Sequence, residues 1–236
     1  MSDAPSPKRD LFLPASILAA GVLIAGSIIY LVGAKNTPAV GPSAGDEGRR
    51  AAALLAVLED DAVLGSKDAP VMVIEYGDYQ CPFCGSFFRD IEPALRDTYI
   101  KTGKAKFVYR DFAFLGPESL AAAEAAECAR EQGQFWAYHD GLFRAEVADK
   151  RENNGNLNAE LFGKLAQDAG LDVSAFESCR ASGKYRARIG EETSDGRVLG
   201  VNATPTAFVN GVEIRGLAPN DTRVADAIEA ALKTAK

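Results

Sequence analysis

The feature that most limits what this chain can fold into is Cys81-Pro82-Phe83-Cys84, set between a short apolar run and a helical pattern. Val71-Met72-Val73-Ile74-Glu75-Tyr76 is brief, β-branched and nearly continuously apolar, which predicts a strand covered on both faces. Gly77-Asp78 breaks it, and Phe87, Phe88, Ile91 and Leu95 carry a helical pattern beyond the cysteines. Pro93 predicts a kink or a disturbed ladder in that helix. Two cysteines three apart at a helix start share one face, within disulfide reach. Pro82 suits the first turn, where a missing N–H costs nothing. The Cys81 sulfur then meets unpaired amides and the positive end of the helix dipole, which favours thiolate. A stabilised thiolate is both an attacker and a good leaving group. Cys84, one turn in, is the shielded resolving thiol.

Two other uses of Cys-x-x-Cys compete with this one. Zinc needs two more ligands, but Cys128 and Cys179 are isolated singles and the chain has one histidine, so no metal is expected. An inert structural disulfide is the second, and the strand-to-helix placement argues against it. No cofactor beyond the thiols is called for. Glu75 shares a strand face with Val71 and Val73 by alternation. A carboxylate there is either a buried proton acceptor near Cys84, with a raised pKa, or a solvated group at an open strand end. The residues leave both readings standing.

The compartment comes from the N-terminus. Leu11 to Ala34 carries no charge and is long enough to cross a hydrocarbon core, which needs roughly 20 residues. A cleaved signal peptide is the alternative, but the apolar stretch exceeds the roughly 7–15 residues of a signal core. Lys8 and Arg9 precede the span and only Lys35 follows it, which puts residues 1–10 in the cytoplasm and the rest outside. Asn36 to Gly48 reads as a flexible tether and Arg49 to Leu58 as a helical stretch, so 35–59 forms a tether and short helix. The folded domain is expected over 60–236. With 26 basic residues against 33 acidic ones the chain carries a net charge of −7, so a nucleic-acid partner is not expected.

A second informative stretch runs from Val198 to Ile214. Thr206 to Val209 reads as a strand, Asn210-Gly211 as a hairpin turn, and Val212-Glu213-Ile214 as the partner strand. Pro205 stands at a strand start, where proline is tolerated. Glu75-Tyr76-Gly77-Asp78-Tyr79-Gln80-Cys81-Pro82-Phe83-Cys84, with Gly200-Val201-Asn202-Ala203-Thr204-Pro205-Thr206 downstream, resembles the DsbA-like branch of the thioredoxin superfamily, above all its membrane-tethered bacterial members. Gly133-Gln134-Phe135-Trp136 and His139-Asp140 resemble that branch's helical insert. The resemblance covers about Asp60 to Leu232. It implies an α/β thioredoxin-like fold with a helical insertion at about 115–190, preceded here by one transmembrane helix. It also implies that Thr204–Pro205 is cis, packs on the cysteine pair and offers Thr204 to an extended substrate segment. Glu75 then matches the superfamily's buried acid. One departure stands out. Strongly oxidising members have histidine after the motif's proline, and Phe83 in its place implies a less acidic Cys81 and a less oxidising pair.

Between the two motifs, Lys104 to Tyr109 reads as a strand. Pro117 to Arg130, Phe135 to Phe143 and Tyr185 to Leu199 read as helices, as does Asp221 to Ala235 at the end. Leu157, Leu161, Leu165 and Ala169 form a helical stripe, and Ser174 to Glu177 matches a capping box. Cys128 and Cys179 each fall on an apolar helix face. They are either two buried thiols or, in an oxidising compartment, a bridged pair. The resemblance also implies a second, structural disulfide at such positions. His139 reads as a structural helix residue, since no partner motif surrounds it. The expected activity is thiol–disulfide exchange that introduces disulfides into exported proteins, with a quinone-linked membrane partner implied for reoxidation. A reductase or isomerase on the same fold is the first alternative, and a non-catalytic membrane-anchored assembly protein the second.

Overall fold

The computed structural model describes residues 44–149 and 151–234. The span 11–34, expected to cross a membrane, lies outside them, as does the first part of the expected tether. Among the described residues no helix is long and apolar enough to cross a membrane. The first helix, α1 (Ala44–Leu54), takes in the end of the expected tether and stops short of Leu58. Adding a residue to an existing helix costs little, so composition alone misplaced its start. Its end is a tertiary matter. Arg110 donates to the carbonyls of Leu54 and, at 2.7 Å, Ala56, and pairs with Asp61 at 2.9 Å.

The sheet has five strands in the order β1-β3-β2-β4-β5, where β1 is Val63–Leu64, β2 Val71–Gly77, β3 Ala105–Asp111, β4 Thr206–Val209 and β5 Val212–Ile214. β2 and β3 are parallel, with Glu75 opposite Tyr109. The other pairings are antiparallel, and β4 places Ala207 opposite Glu75. The remaining helices are α2 (Pro82–Asp90), α3 (Glu92–Leu95), α4 (Pro117–Glu131), α5 (Phe135–Asp149), α6 (Ala159–Asp168), α7 (Val173–Ser182), α8 (Arg186–Val198) and α9 (Arg223–Thr234). Helices α4 to α8 all fall between β3 and β4, which is the expected helical insertion.

Both faces of the central strands are covered, the reason β2 reads as almost unbroken apolar sequence. On one face Val71, Val73, Phe107 and Ala207 meet Phe87, Ile91, Leu95, Val224 and Ile228. On the other, Ile74, Tyr76, Val108 and Phe208 join Phe112 and Val201. Gly196 of α8 comes so close to that face that a Cβ would lie 2.8 Å from the Phe112 ring. The insertion has its own core, where Ala122, Ala125, Ala126 and Ala129 let Tyr138, Leu142 and Phe143 approach.

Two local details differ from expectation. The cap of α7 is Asp172, whose carboxylate accepts from the Ala175 amide at 3.0 Å, so Ser174 lies inside the first turn. A charged acceptor two residues earlier outcompetes the serine hydroxyl. Pro93 does break the helix after the cysteines, separating α2 from α3 at Ile91. Beyond it, Arg96–Ile100 forms a π-helical turn that the sequence pattern does not announce.

Candidate active site

The turn between β2 and α2 is built on Asp78. Its carboxylate accepts from the amides of Gln80 at 2.9 Å, Phe114 at 2.9 Å and Leu115 at 3.0 Å. Its carbonyl accepts from the Cys81 amide at 3.0 Å. One buried side chain therefore ties the approach to Cys81 to the loop after β3. Gly77 is needed at the strand end, since a Cβ there would lie 2.5 Å from the Tyr109 ring.

Cys81 is the N-cap of α2, with extended backbone angles (φ −74°, ψ 117°) and Pro82 in the first turn. Cys81 and Cys84 are both buried free thiols. The Cys81 thiol donates to the Thr204 carbonyl at 3.3 Å, across the cis Thr204–Pro205 bond. The two sequence motifs, more than a hundred residues apart, thus meet at one sulfur. Phe83 turns outward and is 61% exposed. Glu75 is buried, so its solvated alternative does not hold.

The two thiols are pushed in opposite directions. The Cys84 thiol hydrogen-bonded to Cys81 holds the latter down to about 6, against the opposing effect of burial. Thr204 and the amides of Phe83 and Cys84 act in the same direction as Cys84. No amide of the first turn reaches the sulfur in capping geometry, so the turn acts through its partial charges. Burial drives the Cys84 thiol well above its ordinary value, with the Cys81 interaction and the Glu75 charge adding to it. Glu75 is itself raised, first by burial and then by the Glu92 carboxylate. The outcome is one poised thiolate and one thiol kept protonated beside an acid that burial makes a weaker one. That arrangement suits nucleophilic attack at one sulfur and proton transfer at the other.

Cys128 and Cys179 are bonded to each other, joining α4 to α7 across 51 residues of sequence with Cα atoms 5.9 Å apart. Sequence reasoning passed over a polar group beside the site. Arg96 pairs with Glu92 at 2.5 Å and with Asp140 at 2.6 Å, linking α3 and the π-helical turn to α5. His139 Nδ1 lies 3.2 Å from Asp140. The i, i+4 spacing of Glu92 and Arg96 is the one signal in the sequence. Glu92, His139 and Asp140 place one ligand-type atom each within 4.8 Å of one another. The Arg96 guanidinium already takes the place a cation would occupy, so no metal is assigned to this group.

A family model described as thioredoxin matches residues 58–232. The chain belongs to the thioredoxin family. It is 30% identical over 179 residues to disulfide bond formation protein D of Bacillus subtilis, covering 75% of this chain and 79% of that one. It is 37% identical over 177 residues to the Na(+)/H(+) antiporter NhaA 1 of Salinispora arenicola, covering 69% of this chain. The chain spans only 25% of the antiporter's length. The crystal structure of oxidised BdbD from Bacillus subtilis superposes with a TM-score of 0.68 at 29% identity, covering 75% of this chain and 95% of that one. This thioredoxin-family chain is thus a DsbA-type oxidoreductase domain, and its cysteine pair is built for thiol–disulfide chemistry.

Proposed function

We propose that this thioredoxin-family domain introduces disulfides into exported proteins through Cys81 and Cys84. The observation that carries the reading is the asymmetry of the pair, with Cys81 held down to about 6 and Cys84 held up. A stabilised Cys81 thiolate favours the reduced enzyme, and therefore the oxidation of its substrate. In the forward reaction a substrate thiolate attacks Cys81 of the Cys81–Cys84 disulfide. The S–S bond breaks, and Cys84 leaves with the electron pair and takes a proton from Glu75. A second substrate thiolate then attacks the mixed disulfide and displaces Cys81 as thiolate. Two electrons have passed from the substrate dithiol to the enzyme pair. Thr204 and Pro205 hold the extended substrate beside the sulfur, and exposed Phe83 gives it an apolar rest. Cys128–Cys179 braces the insertion that covers the site.

The working compartment follows from residues 11–34, read as a single span that leaves residues 1–10 in the cytoplasm and the domain outside it. The names of the relatives support this, one being a disulfide bond formation protein and the other a Na(+)/H(+) antiporter. Reoxidation falls to a membrane partner linked to quinone. The test is equilibration of the pair with thiol redox buffers, together with oxidation of a reduced dithiol peptide. The expected potential lies within the range of about −270 to −120 mV spanned by such pairs, above its lower limit but short of its oxidising end, where histidine replaces Phe83. Loss of peptide oxidation in Cys81→Ser is expected alongside it. A potential near the lower limit would overturn the oxidase reading in favour of a reductase, and unchanged activity in Cys81→Ser would remove the redox role.

A further inference from the structure

Three buried groups, Glu75, Glu92 and His139, lie between the cysteine pair and the partly exposed Asp140 of α5, and each carries an atom that the packing leaves without a partner. Glu75 Oε1, Glu92 Oε2 and His139 Nε2 are buried and accept or donate no hydrogen bond within the protein. Stranding a buried polar atom is costly, so three together in one place call for an explanation other than packing. Each of these groups has its other polar atom engaged or its neighbour defined. Glu92 Oε1 accepts from Arg96 Nε at 2.7 Å, and His139 Nδ1 faces Asp140. A Glu92 oxygen and a His139 nitrogen lie within 4.8 Å of each other, the reach of one small side-chain movement or one bridging water.

We propose that His139 is the outer station of a buried proton path that runs from Cys84 through Glu75 and Glu92 to Asp140. The path rests on the reading of Cys81–Cys84 as a working redox pair and explains how its protons reach water. The ordering of charges agrees with it. The Glu75 charge bears on Cys84, the Glu92 charge is the largest on Glu75, and the His139 charge is the largest on Glu92. Asp140 lies at the partly exposed end, where Arg96 and the surface residue Arg144 flank it. The other groups facing the path are the buried phenols of Tyr79 and Tyr109. Their rings stand 5.7 and 4.9 Å from His139, and Phe135, Trp136 and Phe143 complete an apolar cage. Glu75 is itself buried, so a proton does not leave it by direct solvation.

When Cys84 departs as thiolate it takes the proton of Glu75, and Glu75 recovers one that passes from the His139 imidazole over the Glu92 carboxylate, which Arg96 pairs. The imidazole regains its proton from water at Nδ1, beside Asp140. No electron moves along the path, and its net effect is one proton drawn from water for each disulfide opened. Oxidation of the pair runs it backwards. His139 is a positioning and relay residue here, since it touches neither substrate nor sulfur.

The test is the rate at which dithiothreitol reduces the Cys81–Cys84 disulfide of the full chain, with the reduction potential measured in parallel. His139→Gln keeps the polarity of the site but cannot carry the charge, and Asp140→Asn removes the outlet while leaving His139 in place. The path predicts that each slows reduction roughly tenfold, less than loss of a direct general acid, at an unchanged potential. It further predicts that Glu75→Gln/His139→Gln is no slower than Glu75→Gln alone, because His139 acts only through Glu75. Rates within about twofold of the parent, or effects of the two substitutions that multiply, would overturn it. A parent chain that oxidises no dithiol peptide, yet shows the same His139 dependence with dithiothreitol, would remove the oxidase reading and leave the path standing.

Discussion

The potential of the Cys81–Cys84 pair should bend where Cys81 titrates. Cys81 is an acid whose pKa falls from the ordinary thiol value of 9.0 to about 6. The extra stability this lends the reduced form is therefore complete above 9.0, shrinks as pH falls, and is gone below about 6. At pH 7 a group at about 6 holds roughly ten thiolates per thiol, whereas one at 9.0 holds about one per hundred. The difference is worth about 1.4 kcal/mol, or about 30 mV for a two-electron couple. Below about pH 6, reduction takes up two protons for two electrons and the potential falls about 59 mV per pH unit. Above it Cys81 stays ionised and only Cys84 takes up a proton, so the slope drops to about 30 mV per unit. The assay is equilibration in dithiothreitol buffers at a series of pH values, acid quench, thiol alkylation and mass counting of the modified pair. A single slope of about 59 mV running well past neutrality would refute the depressed Cys81, and with it the asymmetry on which the oxidising direction rests.

Two further outcomes follow from the fold. Replacing Cys128 and Cys179 together by alanine opens a loop of 51 residues and should cost about 2–4 kcal/mol in denaturant melts, while the Cys81 titration stays in place. A larger change at Cys81 than in stability would mean the bond shapes the site rather than bracing the insertion. Arg110→Leu should cost about 3–5 kcal/mol by leaving buried Asp61 unpaired, and should open residues 54–61 to limited proteolysis. A variant that melts and resists protease like the parent would show that the arginine does not hold this segment.

Periodicity and motif chemistry carried far in this chain. The central strand, the cysteine-bearing helix start and the hairpin at Asn210-Gly211 are legible because local backbone rules set them. The helix break at Pro93 is legible for the same reason, since a residue without an N–H cannot complete the ladder. The cap of α7 was misplaced because Asp172 and Ser174 are both competent locally, and only the charged one wins. The working asymmetry of the thiols is partly local, from the helix start, and partly not. The Thr204 carbonyl reaches Cys81 from the loop before β4, and the buried Glu75 bears on Cys84 from β2.

What the sequence determined by itself was which residues could do chemistry: a Cys-x-x-Cys at a helix start, an acid within a strand, and a proline at the start of another. The tertiary structure decided which of them meet, because burial and pairing depend on neighbours far away in the chain. It made Glu75 a desolvated acid rather than a solvated strand end, and it joined Cys128 to Cys179. It also gave His139 the partners that its own stretch of sequence lacks. Glu92 and Arg96 reach it only because the chain turns at Pro93 and lays the following residues against α5.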